Sequence, residues 1–300
     1  MLVGASVEPR RAAPATDAGE RYFQIGVVPV SVGGSYAPAI GDFAALYAEQ
    51  ECQRPPTGCI DVRVNPSARA AALPRRYDVA AGGTDRFHAL RSSSVLPHIE
   101  WAINWELATS WPGYLAVHAG VVERNGRAAL FAAPPQHGKS TLTLGLVRRG
   151  WRYLSDEFAL LEPSSGHVHP YPKAICVKEG SFTVLNELGL SGGARRFYDK
   201  GKKGRVTFVR PSDCHEGAQG GVCPIGSVFF CRYEPGAVPR MTAVSRADAV
   251  LRLTRVTFNF RKYRARGVEL LADVVRNAEC YELTSGDLSR TCDLVASVVG

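Results

Sequence analysis

Residues 133–141 read Ala-Pro-Pro-Gln-His-Gly-Lys-Ser-Thr. A short apolar run at 128–132 precedes them and a helix-like segment at 141–149 follows. A strand that turns tightly into a helix aims backbone N–H groups and the positive helix end at one spot, and that spot binds phosphate. Gly138, Lys139 and Ser140 take the places of a phosphate-binding loop. Lys139 supplies a mobile charge for the outer phosphates, and the Ser140 hydroxyl is a magnesium ligand. Ala133, Pro134, Pro135, Gln136, His137 and Thr141 complete the set of candidate nucleotide-binding residues. Ala133 stands where the pattern has its first glycine, and Gln136 and His137 are bulkier than usual loop residues. A basic turn capping a helix would share Gly138-Lys139-Ser140, but the strand–loop–helix context favours a nucleotide site.

A second feature lies close behind. Gly150 ends the helix pattern as a glycine just past a helix does. Residues 151–155 read as a short strand with Asp156 and Glu157 at its end. One helix separates this pair from the loop, so the two can be neighbours on one sheet edge. A carboxylate there can hold magnesium or accept a proton from an attacking hydroxyl. Alone, the pair reads as a helix cap with solvated carboxylates; beside the loop, the chemical reading is preferred. His118, on the apolar segment 115–120, alone reads as a satisfied core histidine.

Residues 118–127 (His-Ala-Gly-Val-Val-Glu-Arg-Asn-Gly-Arg), the loop, and residues 149–157 (Arg-Gly-Trp-Arg-Tyr-Leu-Ser-Asp-Glu) together resemble the HPr kinase/phosphorylase superfamily. The resemblance is nearest to the group called HPr kinase-related kinase A. Residues 100–105, 172–181, 202–206, Arg210-Pro211 and 253–260 extend it, so that it runs from about residue 22 to near the C-terminus. It implies that Lys139 and Ser140 handle phosphates and magnesium. Asp156 falls on the general base and Glu157 on a metal or neighbouring carboxylate, and the two roles could exchange. His118 falls on the family's histidine near the acidic pair. Catalytic candidates are therefore Asp156, Glu157, His118 and Lys139; metal candidates are Ser140, Asp156 and Glu157. The chain departs from HPr kinases at Glu157, where they carry a second aspartate, and at Pro135-Gln136, where they carry Ser-Gly. The implied activity is transfer of phosphate from ATP, with Mg2+, to a serine of a protein or peptide, ribosomal peptide precursors included. A homo-oligomer is implied as well. The alternative is a non-catalytic, nucleotide-dependent recruitment module. A GTPase switch is disfavoured because no Asn-Lys-x-Asp motif is present.

Three hundred residues at 45% hydrophobic can bury one full core and a smaller one. No apolar stretch reaches membrane length. The N-terminus lacks the apolar region of a secretory signal, which predicts a cytoplasmic protein. The eight cysteines include no Cys-x-x-Cys pair; Cys214, His215, Cys223 and Cys231 cluster too loosely for zinc. The net charge of +8 concentrates at Arg195, Arg196, Lys200, Lys202, Lys203, Arg205 and Arg210, among glycines 192, 193, 201 and 204. That stretch predicts a mobile basic loop that closes over phosphates or grips an acidic peptide. Lys178, Lys203 and Arg205 are the candidate substrate or phosphate contacts. Without interleaved aromatic residues the stretch does not read as a nucleic-acid binder.

The expected organisation is a disordered tail at 1–20, a small α+β domain at 21–97, and a P-loop α/β kinase core at 98–300. Helices are expected at 99–109, near 181–188, at 245–252, 267–276 and 286–299. Strands are expected at 114–122, 128–133, 151–155, 158–162, 174–177, 205–209, 225–233 and 278–283.

Overall fold

A computed structural model of the chain describes residues 19–54, 58–70, 75–190 and 195–299. Most of the expected tail, and Gly192 and Gly193, lie outside them.

The first half forms a six-stranded sheet from β1 (Arg21–Ile25), β2 (Val28–Gly34), β3 (Glu51–Cys52), β4 (Ile60–Pro66), β5 (Arg76–Ala81) and β6 (Thr84–Arg91), in the order β3-β1-β2-β4-β5-β6. Helices α1 (Ala37–Leu46) and α2 (Val95–Thr109) pack on it. Val28, Val30 and Val32, and Val62 and Val64, are fully buried, and Phe23, Phe43 and Tyr47 pack edge-on or tilted against one another beside them. The second helix begins at Val95 rather than at 99, because Val95, Leu96 and Ile99 already face this core.

The second half is built on a sheet of β7 (Leu115–Arg124), β8 (Arg127–Ala132), β9 (Arg152–Ser155), β10 (Phe158–Leu161), β11 (Val168–His169), β15 (Ile225–Tyr233), β16 (Arg240–Ala243) and β17 (Glu279–Ser285). Its centre, β8-β15-β17, is parallel. Helices α3 (Lys139–Arg148) and α7 (Leu288–Ala296) cover one face, and α5 (Arg246–Arg255) and α6 (Phe260–Arg276) the other. A small antiparallel sheet of β12 (Ile175–Lys178), β14 (Arg205–Val209) and β13 (Tyr198–Asp199), with α4 (Phe182–Glu187), lies against α3 and α2.

Several expectations are corrected. Helix α6 starts at Phe260, seven residues before the expected 267; it is kinked at Arg264, whose φ of 48° is not helical. Helix α7 starts at Leu288, where the Asp287 side chain caps it by accepting the Arg290 N–H at 2.7 Å. The basic stretch is less of a loop than expected: residues 198–209 form a hairpin, with the Lys200 N–H donating to the Gly204 carbonyl at 2.9 Å. Strands β11, β13 and β16 were not among the expected ones; β11 and β13 have two residues each, and β16 is a mostly exposed edge strand with no apolar run.

One core runs from the first sheet through α2 to Ala116, Phe158 and Leu160 of the second. At its centre, Lys173 Nζ lies 2.7 Å from a Glu100 carboxylate oxygen and donates to Asn104 Oδ1 at 2.9 Å. The Tyr171 hydroxyl donates to the same Asn104 oxygen. No helix of the described residues is long and apolar enough to cross a membrane.

Candidate active site

The loop leaves the C-terminal end of β8, the end at which parallel sheets bind ligands. Gly138 sits at the helix start with φ +80°, a conformation glycine adopts without strain. Gln136 also has a positive φ, 72°, and carries a side chain there. Buried Lys139 folds back across the loop: Nζ donates to the carbonyls of Ala133 at 2.7 Å and Pro134 at 3.0 Å. Pro134, Pro135 and Gln136 are exposed. The Thr141 hydroxyl lies 3.1 Å from that of Ser181, tying α3 to the turn after β12.

Strands β9 and β10 run along the same edge of β7 as two halves of one antiparallel strand. Ser155 stands opposite Val121 and Phe158 opposite His118, so the register carries across the break; a bulge between Val121 and Val122 then shifts Tyr153 and Arg152 by one residue. The break is Asp156-Glu157, and the register sets Asp156 across from Gly120. Directly opposed residues share a face of the sheet. Gly120 leaves that face open: a Cβ there would lie 2.3 Å from Thr143 Oγ1 of α3 and 3.8 Å from Asp156 Oδ1. Both oxygens are buried without a hydrogen-bond partner among the described residues.

Burial, and then repulsion from Glu157, raise the Asp156 carboxyl from 3.8 to about 7; the Ser140 hydroxyl and the charges of Lys139 and Lys178 work against the rise. Burial lowers the pKa of Lys139, opposed by Asp156. His118 is half-buried, and its pKa is lowered by burial and by the Lys139 charge. Its Nδ1 is 3.0 Å from the Glu157 carbonyl. A carbonyl only accepts, so Nδ1 carries the proton and the neutral ring keeps its lone pair on Nε2. Phe158 and Phe258 pack on this ring.

Lys139, Ser140, Asp156, Glu157, His118 and Lys178 thus come together from β8–α3, the β9–β10 break, β7 and β12. Lys203 is near enough for the Lys178 and Glu157 charges to act on it, and its Nζ lies 4.6 Å from the centre of the Trp101 ring. Arg205 is not drawn in: its guanidinium lies over Phe197. Gly120 and Thr143 join the site without having been singled out, and Lys200 joins it from the basic stretch; a glycine inside an apolar strand, two residues after His118, is a signal of close approach. Among the described residues no three His, Cys, Asp or Glu side chains gather as a metal site. Magnesium is usually held by one or two carboxylates plus phosphates. Ser140, Asp156 with its unpartnered oxygen, and Glu157 fit such a donor set. Burial pushes the Cys214 and Cys223 thiols to about 11 and the Cys231 thiol to about 12, so that these groups are neutral thiols near pH 7.

No protein-family model and no curated protein matches the sequence. Among solved structures, that of the HPr(Ser) kinase/phosphatase from Coxiella burnetii is similar to 62% of this chain and 99% of its own, at 9% identity and a TM-score of 0.28. The functional reading rests on the site itself.

Proposed function

We propose that the chain is an ATP- and magnesium-dependent phosphotransferase acting on a serine hydroxyl of a protein or peptide. The carrying observation is Asp156: a buried carboxyl with one unpartnered oxygen and a pKa of about 7, beside a loop that ends in Lys139 and Ser140. Perturbed titratable groups beside a phosphate loop suit proton transfer near neutral pH. In this reading the loop N–H groups and the start of α3 hold the nucleotide phosphates, and Lys139 exchanges its carbonyl partners for phosphate oxygens. Ser140, Asp156 and Glu157 would hold magnesium, which when bound supplies positive charge to the phosphate oxygens. The acceptor oxygen bonds to the γ-phosphorus as the bond to the bridging oxygen breaks. Its proton passes to the Asp156–Glu157 pair, and ADP leaves. His118, fixed through Nδ1, holds the break between β9 and β10 in place and presents Nε2 as a hydrogen-bond acceptor.

The test is transfer of labelled phosphate from ATP into a pool of serine peptides by wild type, Lys139→Ala and Asp156→Asn. Label that vanishes in both variants is the expected result. ATP binding that survives Asp156→Asn, with no transfer by wild type, would leave a nucleotide-dependent recruitment module instead.

A further inference from the structure

We propose that Lys178, Lys200 and Lys203 form a binding site for a negative charge on the phosphate acceptor, so that the acceptor is a hydroxyl carried close to a carboxylate or phosphate group. This rests on the kinase reading above.

Alternate residues of β12 point to opposite faces. Ile175 and Val177 enter the core under α3, whereas Cys176 packs with Val206 and Phe208 toward α2. Lys178 shares the Cys176 face and stands opposite Val206. Lys200 Nζ lies 3.5 Å from Cys176 Sγ, on that same face. The turn from Lys200 to Gly204 carries Lys203 onto the Trp101 ring of α2. Three ammonium groups from β12 and the β13–β14 turn therefore converge between the small sheet and α2. The loop's own cation, Lys139, belongs to α3, which packs on the other face of this sheet; of the three lysines, Lys178 is the one whose charge reaches it.

None of the three lysines forms an ion pair among the described residues. Glu100, a buried carboxylate of α2, is ion-paired with Lys173, and its charge also reaches Lys200. Asp199 accepts the Gly201 N–H at 2.8 Å. Glu157 is the acidic-pair member whose charge reaches both Lys200 and Lys203. Burial lowers the pKa of Lys203, and the charges of Lys200 and Lys178 lower it further, as expected of cations crowded together. Lys178 also acts on Asp156 and His118, so the cluster borders the acidic pair. Glu179 also borders this turn, its carboxylate 3.5 Å from where a Gly204 Cβ would stand; three crowded cations that none of these carboxylates pairs with favour an anion there. An acceptor anchored by that anion would bring its hydroxyl to Asp156, with Trp101 as an apolar wall.

The test uses the full chain and four short peptides: one with aspartate after its serine, its asparagine counterpart, one with phosphoserine in place of that aspartate, and one ending in serine with a free carboxylate. Rates of phosphate transfer are compared, and calorimetry measures binding of the same peptides with the acceptor serine replaced by alanine. Wild type, Lys178→Gln, Lys203→Gln and, as a charge control in the same turn, Lys202→Gln are used. The expected result is a preference of roughly tenfold or more for an anionic peptide over the asparagine one. That preference collapses in Lys178→Gln and Lys203→Gln and persists in Lys202→Gln. Which anionic peptide gains most identifies the source of the charge. Transfer that ignores peptide charge would overturn the site and leave the kinase reading intact. Charge-dependent binding without transfer would keep the site and sink the kinase reading. Binding that ignores charge, or a preference that survives both site variants, would overturn the proposal.

Discussion

The Asp156 carboxyl costs the nucleotide-free protein stability once it ionises. Its folded pKa, about 7, lies above the ordinary 3.8. The stability it lends is therefore fully present below 3.8 and lost as pH rises through about 7. The loss is a few kcal/mol, at most about 4. Asp156→Asn stays neutral throughout, so its stability relative to wild type should grow between pH 5 and pH 8 in denaturant melts. An advantage that does not change with pH would show that the carboxyl is not perturbed. Gln136 presents a separate strain. A side chain at φ 72° is unfavourable by roughly 1 kcal/mol or more. Gln136→Gly should hold or raise the melting temperature and retain ATP binding, and Gln136→Val should lower it. At this scale the loop residues were legible because Gly138, Lys139 and Ser140 are contiguous, and their chemistry depends on being so. Gly120 and Thr143 were not, because their encounter depends on how α3 lies across β7, and spacing along the chain does not record it.

Packing of α3 on β7 is set at that contact. Gly120→Ala would thrust a methyl group to 2.3 Å from Thr143 Oγ1 and push the helix away. Overpacking of this kind costs about 1–3 kcal/mol. Thr143→Ala removes the obstacle, since the Gly120 Cβ would then face Thr143 Cβ at 3.6 Å. The double variant should be more stable than Gly120→Ala alone, a coupling that a double-mutant cycle in urea measures. Strict additivity would mean that the two residues do not touch. Element types in the second half were largely legible, since its strands and helices carry strong apolar periods. The start of α6 was not. The run 260–266 is rich in Arg and Lys, and the kink at Arg264 breaks the period that joins it to the apolar face at Leu270, Leu271 and Val274.

Across the whole molecule, the two halves are joined by charge as well as by apolar packing. Lys173 and Glu100 are both nearly inaccessible to water, and each is the other's ion-pair partner. Removing one leaves the other buried and unpaired, which costs about 3–5 kcal/mol, whereas replacing both costs far less. Lys173→Met should therefore lower stability sharply, and adding Glu100→Gln should recover much of the loss in equilibrium denaturation. An unchanged transition in Lys173→Met would mean the pair adds nothing. The segments 100–105 and 172–181 were legible only as motifs; that they grip each other through Lys173, Glu100 and Asn104 depends on a long-range contact.

The break at Asp156-Glu157 is also a matter of parity. Phe158 and Leu160 look into the core shared with the first sheet, and Ala159 and Leu161 into the core under α5 and α6. An even number of residues in the break keeps that assignment. Adding or deleting one residue would turn the strand over, sending each core the other's side chains. As far as the strand's two faces are concerned, Asp156 and Glu157 can change in identity, but not in number by one.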